Sequence, residues 1–427
     1  ALGTVLIPRK TERIDKDAFM GAASRFIVDG SNPNYASSNG MLMSESKETL
    51  IQAPVMEKGN LIIPNGTKRI TANALVNGQY SSISLPEGIT EIYKRQFKNS
   101  DKLKAIYLPA SLMNIRGSGY DSYDLGLNSL EKISVPKSNT AYQSLDGAVY
   151  TADGKAMVFY PYGRKGSLRL PDACKKIGGQ MRENKLSSIS VSSKNKYFTS
   201  VHGVLYDLRG KKIKCFPMNK KTYKIPKTLK SIDYLYRVKE DMKCKAIQVA
   251  SGNKTFYSKG GVVFEKGSHT LAFYPTKKKG SYKVPVSTRY IDSHAFEEAH
   301  YITALTITKN VGRSGGTTYY FDKCRNLQKI DVKQGELNYI SMSFSGCKKL
   351  KSISFPSNIM TTDLWGLPEG VTIRGWQNTQ AKESAERAKG KFVSLGTIPP
   401  VITGGRVKKI IDKYQLSWNA SRGASGY

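Results

Sequence analysis

The sequence predicts a mainly β protein with few short helices, built as a solenoid of stacked coils with β-hairpin insertions. One observation behind this prediction is a sixteen-residue phrase that occurs four times, at 39–54, 146–161, 202–217 and 260–275. The other is a shorter apolar motif that recurs about every 23 residues. Such internal periods are typical of arrays in which each unit buries its apolar face against its neighbours.

The repeated phrase has the pattern of a β-hairpin. In the copy at 202–217, Val204 and Tyr206 alternate with other residues before a turn at DLRG, and Ile213 and Cys215 follow that turn. The copy at 146–161 turns at Asp-Gly, a dipeptide favoured in two-residue hairpin loops. A glycine is the second residue of each copy and a proline closes the copy fourteen residues later: Gly40/Pro54, Gly147/Pro161, Gly203/Pro217 and Gly261/Pro275. We therefore expect one hairpin in each copy.

The shorter motif, L-x-x-I-x-[LV], predicts the strands of the solenoid. It reads LKAIYL from Leu103 and LSSISV from Leu186. Alternation over so few residues indicates a strand with one buried face. Pro109 directly follows Leu108 and should end its strand, because proline cannot donate to a β-ladder.

The unit of about 23 residues, with L-x-x-I-x-[LV]-P and I-x-x-x-A-F, resembles the BspA-like leucine-rich repeats of bacterial surface proteins. IDKDAF at 14–19, IDSHAF at 291–296 and the run FDKCRNLQKIDV carry the resemblance. It covers about residues 1–396 and implies a right-handed leucine-rich repeat solenoid. The general repeat has Asn or Cys just after the strand, where this sequence often has Pro. We therefore do not expect an asparagine ladder.

The C-terminal part of the sequence changes character twice. Residues 371–396 look like the terminal cap of the solenoid, with a short helix that begins at Asn378 or Thr379 and ends at Gly390. Residues 397–427 look like a linker and the truncated start of a fibronectin type III domain, with Trp418 as its core tryptophan. Such a sandwich needs about 100 residues, so we expect the natural chain to continue.

Composition and motifs favour binding over catalysis. The chain has 67 Lys and Arg against 33 Asp and Glu, a net charge of +34, which favours polyanionic partners. It contains none of the familiar hydrolase, nucleotide-binding or zinc-protease motifs. The four histidines lie in turns or at spacings unsuited to a metal pair. We expect no catalytic residues, no enzyme activity, no cofactor and no metal site.

The five cysteines occupy slots that hold apolar or small residues in other units. Cys174, for example, shares its slot with Ile89 and Leu112, and Ser100 takes the slot of Cys324 and Cys347. We expect all five to be buried as small core residues. A disulfide bridge between Cys324 and Cys347, in adjacent coils, is the alternative.

Two surfaces are candidates for partner binding. The first is the outward face of the strands, where most side chains are small and the candidate contact residues are Tyr107, Gln248, Thr306 and Asp331; we expect a shallow face without a pocket. The second is a set of basic side chains after the hairpin prolines: Arg164, Lys165, Lys220, Lys221, Lys277, Lys278 and Lys279. Simple solvation of the sheet and solubilisation by the basic loops remain open as alternatives.

The sequence and the resemblance together predict an extracellular binding or adhesion scaffold of a bacterial protein that is secreted or attached to the cell wall. The expected partner is a host or bacterial surface protein or an anionic glycan. The alternative is a non-catalytic spacer or targeting module of a larger secreted enzyme. No stretch approaches the roughly 18 apolar residues of a membrane span, and no aromatic residues interleave with the basic ones as in nucleic-acid binding. We expect a monomer that does not insert into a membrane and does not bind nucleic acid.

Overall fold

The coordinates are a computed structural model that divides into two compact units, Ala1–Lys243 and Cys244–Tyr427. The structure describes the backbone of residues 2–15, 18–19, 23–117, 125–177, 181, 184–312, 318–337, 339–359, 361–377, 379–397, 403–410 and 413–419. Side chains are described for the same residues except 2, 361, 403–410 and 413–419.

The first unit has short strands separated by turns. Its strands are β1 Leu2–Ile7, β2 Ala23–Val28, β3 Tyr35–Ser38, β4 Met41–Ser44, β5 Thr49–Gln52, β6 Asn60–Ile62, β7 Arg69–Ile70, β8 Ser82–Ser84, β9 Glu91–Tyr93, β10 Ala105–Tyr107, β11 Asn114–Arg116, β12 Lys132–Ser134, β13 Tyr142–Leu145, β14 Ala148–Thr151, β15 Met157–Phe159, β16 Lys165–Arg169, β17 Lys185–Ser190, β18 Phe198–Val201, β19 Val204–Asp207, β20 Ile213–Cys215 and β21 Thr222–Ile225. It also has the helix α1 Asp233–Arg237 and 3₁₀ turns at Lys94–Phe97 and Lys239–Asp241.

The second unit has the same character. Its strands are β22 Ala246–Val249, β23 Phe256–Lys259, β24 Val262–Glu265, β25 Thr270–Phe273, β26 Gly280–Lys283, β27 Tyr290–Ile291, β28 Ile302–Ile307, β29 Thr318–Tyr320, β30 Lys329–Val332, β31 Tyr339–Ser343, β32 Ser352–Ser354, β33 Thr361–Trp365, β34 Thr372–Gly375, β35 Lys391–Ser394, β36 Thr403–Ile410 and β37 Lys413–Asn419. The helix α2, Gln380–Arg387, lies between β34 and β35. The fold class is mainly β, as predicted.

The short sequence motif marks the strands of parallel sheets. In the first unit β6, β8, β10 and β12 pair side by side in parallel, with Ile83, Ile106 and Ile133 in register. In the second unit β26, β28, β30, β32, β34 and β35 form a six-stranded parallel sheet. The central isoleucines are completely buried, so the predicted inward and outward faces are confirmed. Each unit is therefore a stack of coils.

Most coils contribute a second short strand that the sequence did not predict. After the proline-led turn, β9 pairs in parallel with β11, with Ile92 opposite Ile115. In the second unit β29, β31 and β33 form the corresponding three-stranded sheet. The isoleucine six residues after a proline lies buried in this second strand at Ile92 and Ile291.

The four hairpins are present, and each is extended to a three-stranded meander. The meanders are β3-β4-β5, β13-β14-β15, β18-β19-β20 and β23-β24-β25. The first strand of each meander precedes the repeated phrase and was not predicted. A two-residue turn with positive φ at both positions joins the first two strands: Asn39-Gly40, Asp146-Gly147, His202-Gly203 and Gly260-Gly261. This backbone matches the right-handed twist of the strands.

One buried asparagine connects each meander to the rest of its unit. The carbonyl oxygen of the Asn139 side chain accepts hydrogen bonds from the backbone N–H groups of Ala141 (2.9 Å) and Tyr142 (2.7 Å). Its amide donates to carbonyl oxygens of the preceding coil, including that of Leu112 at 2.8 Å. Buried asparagines take the same place in the other long units: Asn32, Asn195 and Asn253. These asparagines lie only in the long units, so they do not form a continuous ladder.

The cysteines line the core, as expected. Cys174, Cys215, Cys244, Cys324 and Cys347 are all buried and all free thiols. The Sγ atoms of Cys324 and Cys347 lie 3.0 Å from the backbone oxygens of Phe296 and Phe321, one coil earlier. Ser100 donates from its hydroxyl to the oxygen of Leu75 in the same way, at 3.2 Å. The repeat position shared by Cys324, Cys347 and Ser100 therefore holds a small hydrogen-bond donor. The alternative disulfide between Cys324 and Cys347 does not form.

The helix predicted within residues 371–396 is present, with two corrections to its ends. Thr379 takes the position before helix α2, but its hydroxyl donates to the oxygen of Trp376 (2.8 Å) and makes no side-chain cap. The alternative, Asn378, lies outside the described residues. The helix ends at Arg387, before the predicted end at Gly390, and Lys389 adopts a positive φ of 53°. Gly390 is needed for space instead, because a Cβ there would lie 2.8 Å from the oxygen of Val371.

The last described residues form an antiparallel hairpin, β36 and β37. Trp418 lies within β37, but its side chain is outside the described set, and so are residues 420–427. The start of a fibronectin type III domain, and a domain boundary between 396 and 397, remain predictions. In the part of the chain that the structure covers, neither helix has the length and hydrophobicity of a membrane span.

Candidate binding surfaces and clefts

The outward face of the parallel strands carries the four predicted contact residues. In the first unit Tyr107 is 42% exposed, and the ammonium of Lys132 lies 5.7 Å from its ring centre. In the second unit Thr306 pairs directly with Asp331 on the neighbouring strand. Asp331 also forms an ion pair of 2.7 Å with Lys333. Gln248 is exposed on β22, away from these two strands of the six-stranded sheet.

The predicted basic residues occupy equivalent turns. The backbone N–H groups of Arg164, Lys220 and Lys278 each donate to the oxygen of the proline three residues earlier. Lys165, Lys221 and Lys279 follow in sequence and are exposed to solvent. The pairs 164–165 and 220–221 belong to the first unit and 277–279 to the second. The sequence repeat thus places basic side chains at the same point of three long units.

Part of this positive charge is used within the turns themselves. Arg164 donates from Nη2 to the oxygen of Ser167 (3.0 Å), and this guanidinium lies 3.9 Å from Asp146. In the second unit, the ammonium groups of Lys277 and Lys279 lie 5.3 and 5.8 Å from the ring centre of Tyr301. Tyr301 is 39% exposed. Arg164 is thus already engaged by neighbouring groups, and the exposed Lys165, Lys221 and Lys279 are the better candidates for contact with a partner.

Two half-open clefts lie in the second unit, although we expected no pocket on the shallow face. The larger, about 420 Å³, is at the loops that follow the strands and is lined by His269, Val286, Ser287, Arg289, Asn310 and Glu336. The smaller, about 250 Å³, is lined by Asp363, Leu364, Trp365, Ser384, Arg387 and Ala388. None of the residues that line these two clefts is one of the four predicted contact residues of the outward face.

The smaller cleft borders a row of side chains on the second-strand sheet. Tyr320, Ser343 and Trp365 lie opposite one another on β29, β31 and β33. The imidazole of His294 stacks on Tyr320, with ring centres 4.6 Å apart and an angle of 6° between the planes. We call His294, Tyr320, Ser343 and Trp365 the aromatic row. Sequence reasoning missed it, because these second strands were not predicted.

The histidines are not arranged as a metal site. His202 and His269 lie in turns with positive φ, as predicted. The Nδ1 atom of His294 lies 2.9 Å from Glu297, and that of His300 lies 2.9 Å from the oxygen of Lys323. Within the described residues no three His, Cys, Asp or Glu side chains are grouped so as to hold a metal ion.

Comparison with protein families identifies the repeats. Residues 57–145 and 269–364 match the model of the BspA type leucine rich repeat region, in six copies. The match covers one segment of each compact unit and includes Tyr107, Thr306, Asp331 and Tyr320. No curated protein matches the chain.

Several solved structures resemble this chain. The pneumococcal vaccine antigen PcpA is 16% identical, over 84% of this chain and 96% of that protein, with a TM-score of 0.25. A leucine rich cell surface protein from Faecalibacterium prausnitzii A2-165 is 13% identical over 78% and 95%, with a TM-score of 0.34. A leucine-rich repeat protein from Eubacterium ventriosum ATCC 27560 is 14% identical over 80% and 86%, with a TM-score of 0.27. The fold assignment itself depends on the strands and register described above.

Proposed function

We propose that this chain, whose segments 57–145 and 269–364 carry BspA-type leucine-rich repeats, is an extracellular binding scaffold of a bacterial surface or secreted protein. It binds a partner protein or an anionic glycan and acts by adhesion, without catalysis. The observation that carries the proposal is the equivalent placement of basic side chains after the prolines of three long units. The scaffold works as a monomer outside the cell and inserts into no membrane.

The charge of the chain supports a polyanionic partner. Its net charge is +34, and a surface of one sign raises the local concentration and the association rate of oppositely charged ligands. Sulfated or carboxylated glycans carry many negative groups, which can contact the basic turns of three long units. The exposed ammonium groups of Lys165, Lys221 and Lys279 make contact without first losing an internal ion pair, since none of them forms a described salt bridge.

The basic cluster of the second unit, Lys277, Lys278 and Lys279, also contacts an aromatic side chain. Lys277 and Lys279 lie on the ring of Tyr301 at distances typical of cation–π contacts. Such contacts restrict flexible lysine side chains and so lower the entropy that a partner must remove on binding. This cluster is therefore the preferred anchor of the three.

The experiment is heparin binding by the full chain at low and at high salt. Replacement of Lys165, Lys221 and Lys279 by glutamate should weaken binding by at least about tenfold, and the wild-type affinity should fall steeply as salt screens the charges. The matched control replaces three exposed lysines outside these loops, Lys137, Lys194 and Lys348, and changes the net charge equally. Equal losses in both variants, or an affinity that ignores salt, would contradict the proposal.

A further inference from the structure

We propose that the 250 Å³ cleft beside Trp365 is a binding subsite for a neutral saccharide. This site is separate from the basic loops and goes beyond the function proposed above. Strand β33 and helix α2 of the second unit form this cleft. Three features support the subsite: the exposure of Trp365, the register of the strands and the charges around the cleft.

Strand alternation explains why Trp365 faces outward. Thr362 is buried and bonds with Ser384 of helix α2 at 2.5 Å between hydroxyl oxygens. Asp363 and Trp365 therefore share the opposite, outward side of β33. Trp365 is 52% exposed, an unusual position for the largest aromatic side chain. The helix brings Arg387 to the same cleft.

The aromatic row supplies a second platform beside the cleft. Tyr320 and Trp365 occupy the same register position on β29 and β33, with Ser343 of β31 between them. Two strand spacings place their backbones about 9.6 Å apart. Only the short side chain of Ser343 occupies the register position between them, and the imidazole of His294 stacks on Tyr320. A chain of sugar rings can thus contact both aromatic side chains.

The charges around the cleft favour a neutral ligand. An anion entering it meets the carboxylate of Asp363, and a cation meets the guanidinium of Arg387. A sugar hydroxyl uses both groups, because it donates to a carboxylate and accepts from a guanidinium. The C–H face of a sugar ring packs on the exposed indole. Small-molecule sites usually combine an apolar wall with a few convergent polar groups.

The polar groups of the site are held by neighbouring side chains. Tyr339 donates to Oδ2 of Asp363 at 3.3 Å, and Nη2 of Arg387 lies 3.3 Å from the hydroxyl of Ser384. Further along the aromatic row, Ser343 donates to Asp322 at 2.6 Å, and His294 contacts Glu297. This concentration of carboxylates in a strongly basic chain disfavours a polyanion at this location.

The test is calorimetric titration of the full chain with four neutral tetrasaccharides: cellotetraose, maltotetraose, mannotetraose and N-acetylchitotetraose. We expect at least one to bind, with an affinity that hardly changes between low and high salt. Trp365→Ala should reduce that affinity at least about tenfold, as for truncation of a central aromatic contact. Trp365→Phe, which keeps an aromatic face, should retain most of it, and Asp363→Asn should weaken it.

The control variant is Tyr197→Ala, which removes an aromatic side chain that is 49% exposed in the first unit; it should bind like the wild type. Far-ultraviolet circular dichroism establishes that each variant is folded. Failure of all four sugars to bind, equal binding by the Trp365→Ala variant, or binding of heparin alone at this cleft would overturn the assignment. Because the heparin experiment changes other residues, failure of one proposal can be distinguished from failure of the other.

Discussion

The side-chain amide of Asn139 donates a hydrogen bond to the backbone oxygen of Leu112, 2.8 Å away. The same amide also lies 3.1 Å from the oxygens of Pro109 and Ala110. These three oxygens belong to the turn of the preceding coil, which has no strand partner there. A single buried side chain therefore satisfies three carbonyl oxygens of one turn and fixes the start of the next meander.

We expect Asn139→Ala to lower the free energy of unfolding by about 1–3 kcal/mol, the usual cost of leaving buried polar groups unpaired. Urea denaturation followed by circular dichroism measures this change. Asn65→Ala, in an exposed turn, should stay within about 0.5 kcal/mol of the wild type. A similar small effect at both positions would show that the asparagine is not needed to connect the coils.

A second prediction concerns the glycine of the two-residue turn. Gly203 has a φ of 77°, and a Cβ there would lie 2.7 Å from the Cβ of Ser188. Gly203→Ala should therefore cost at least about 2 kcal/mol, from left-handed backbone strain and from overlap together. Gly267→Ala is the matched control, since no heavy atom lies within 4 Å of its added Cβ. Thermal denaturation should separate the two variants clearly.

A third prediction concerns the thiols. All five cysteines are buried and free, so a thiol reagent should react slowly with the native protein, because it needs access to the thiolate. Unfolding in urea without a reductant should then expose five reactive groups. A bridge between Cys324 and Cys347 would leave only three, and that count would contradict the hydrogen-bonding role described for these two residues.

A fourth prediction concerns alkaline pH. Burial raises the pKa of the Cys174 thiol to about 11 and that of Cys215 to about 12. Because these values lie above those of the unfolded chain, the associated stability is fully present below about pH 9 and is lost as the pH rises towards 11 or 12. Each thiol should contribute a slope of about 1.4 kcal/mol per pH unit over its range.

Urea midpoints measured on both sides of about pH 9 test this expectation. The Cys174→Ala/Cys215→Ala double variant should be less stable at neutral pH but should show a shallower decline above pH 9. Its decline should not vanish, because burial also raises the pKa of tyrosines such as Tyr150 and Tyr274. An identical slope in both proteins would exclude the two thiols as its cause.

The sequence predicted the features that are periodic and apolar. Ile106 and its equivalents mark strand centres because a strand with one buried face must alternate, and Cys174 could be placed in the core by its slot. The second strands were missed because a single isoleucine six residues after a proline marks them, as at Ile92, whereas three apolar positions mark the first strands. Asn139 was missed because an isolated asparagine before a hairpin usually indicates a turn.

In the candidate sites, too, the sequence predicted some features and missed others. Alternation placed Thr306 and Asp331 on the outward face correctly, and their strands are direct neighbours. The cleft beside Trp365 depends on helix α2 approaching β33 from about twenty residues further along the chain. Gly375 allows that approach, since a Cβ there would lie 2.7 Å from Ala381. Trp365 was therefore not identified from the sequence as an outward-facing residue.

The pairing of each strand with the next coil has an evolutionary consequence. Tyr320 and Trp365 are separated by a single coil, the one that contributes Ser343. Duplication or loss of one whole repeat at this place would change the distance between the two aromatic platforms in steps of about 4.8 Å. Gain or loss of whole repeats in the gene would therefore change, in fixed increments, the length of saccharide that contacts both aromatic side chains. Neither side chain would have to change.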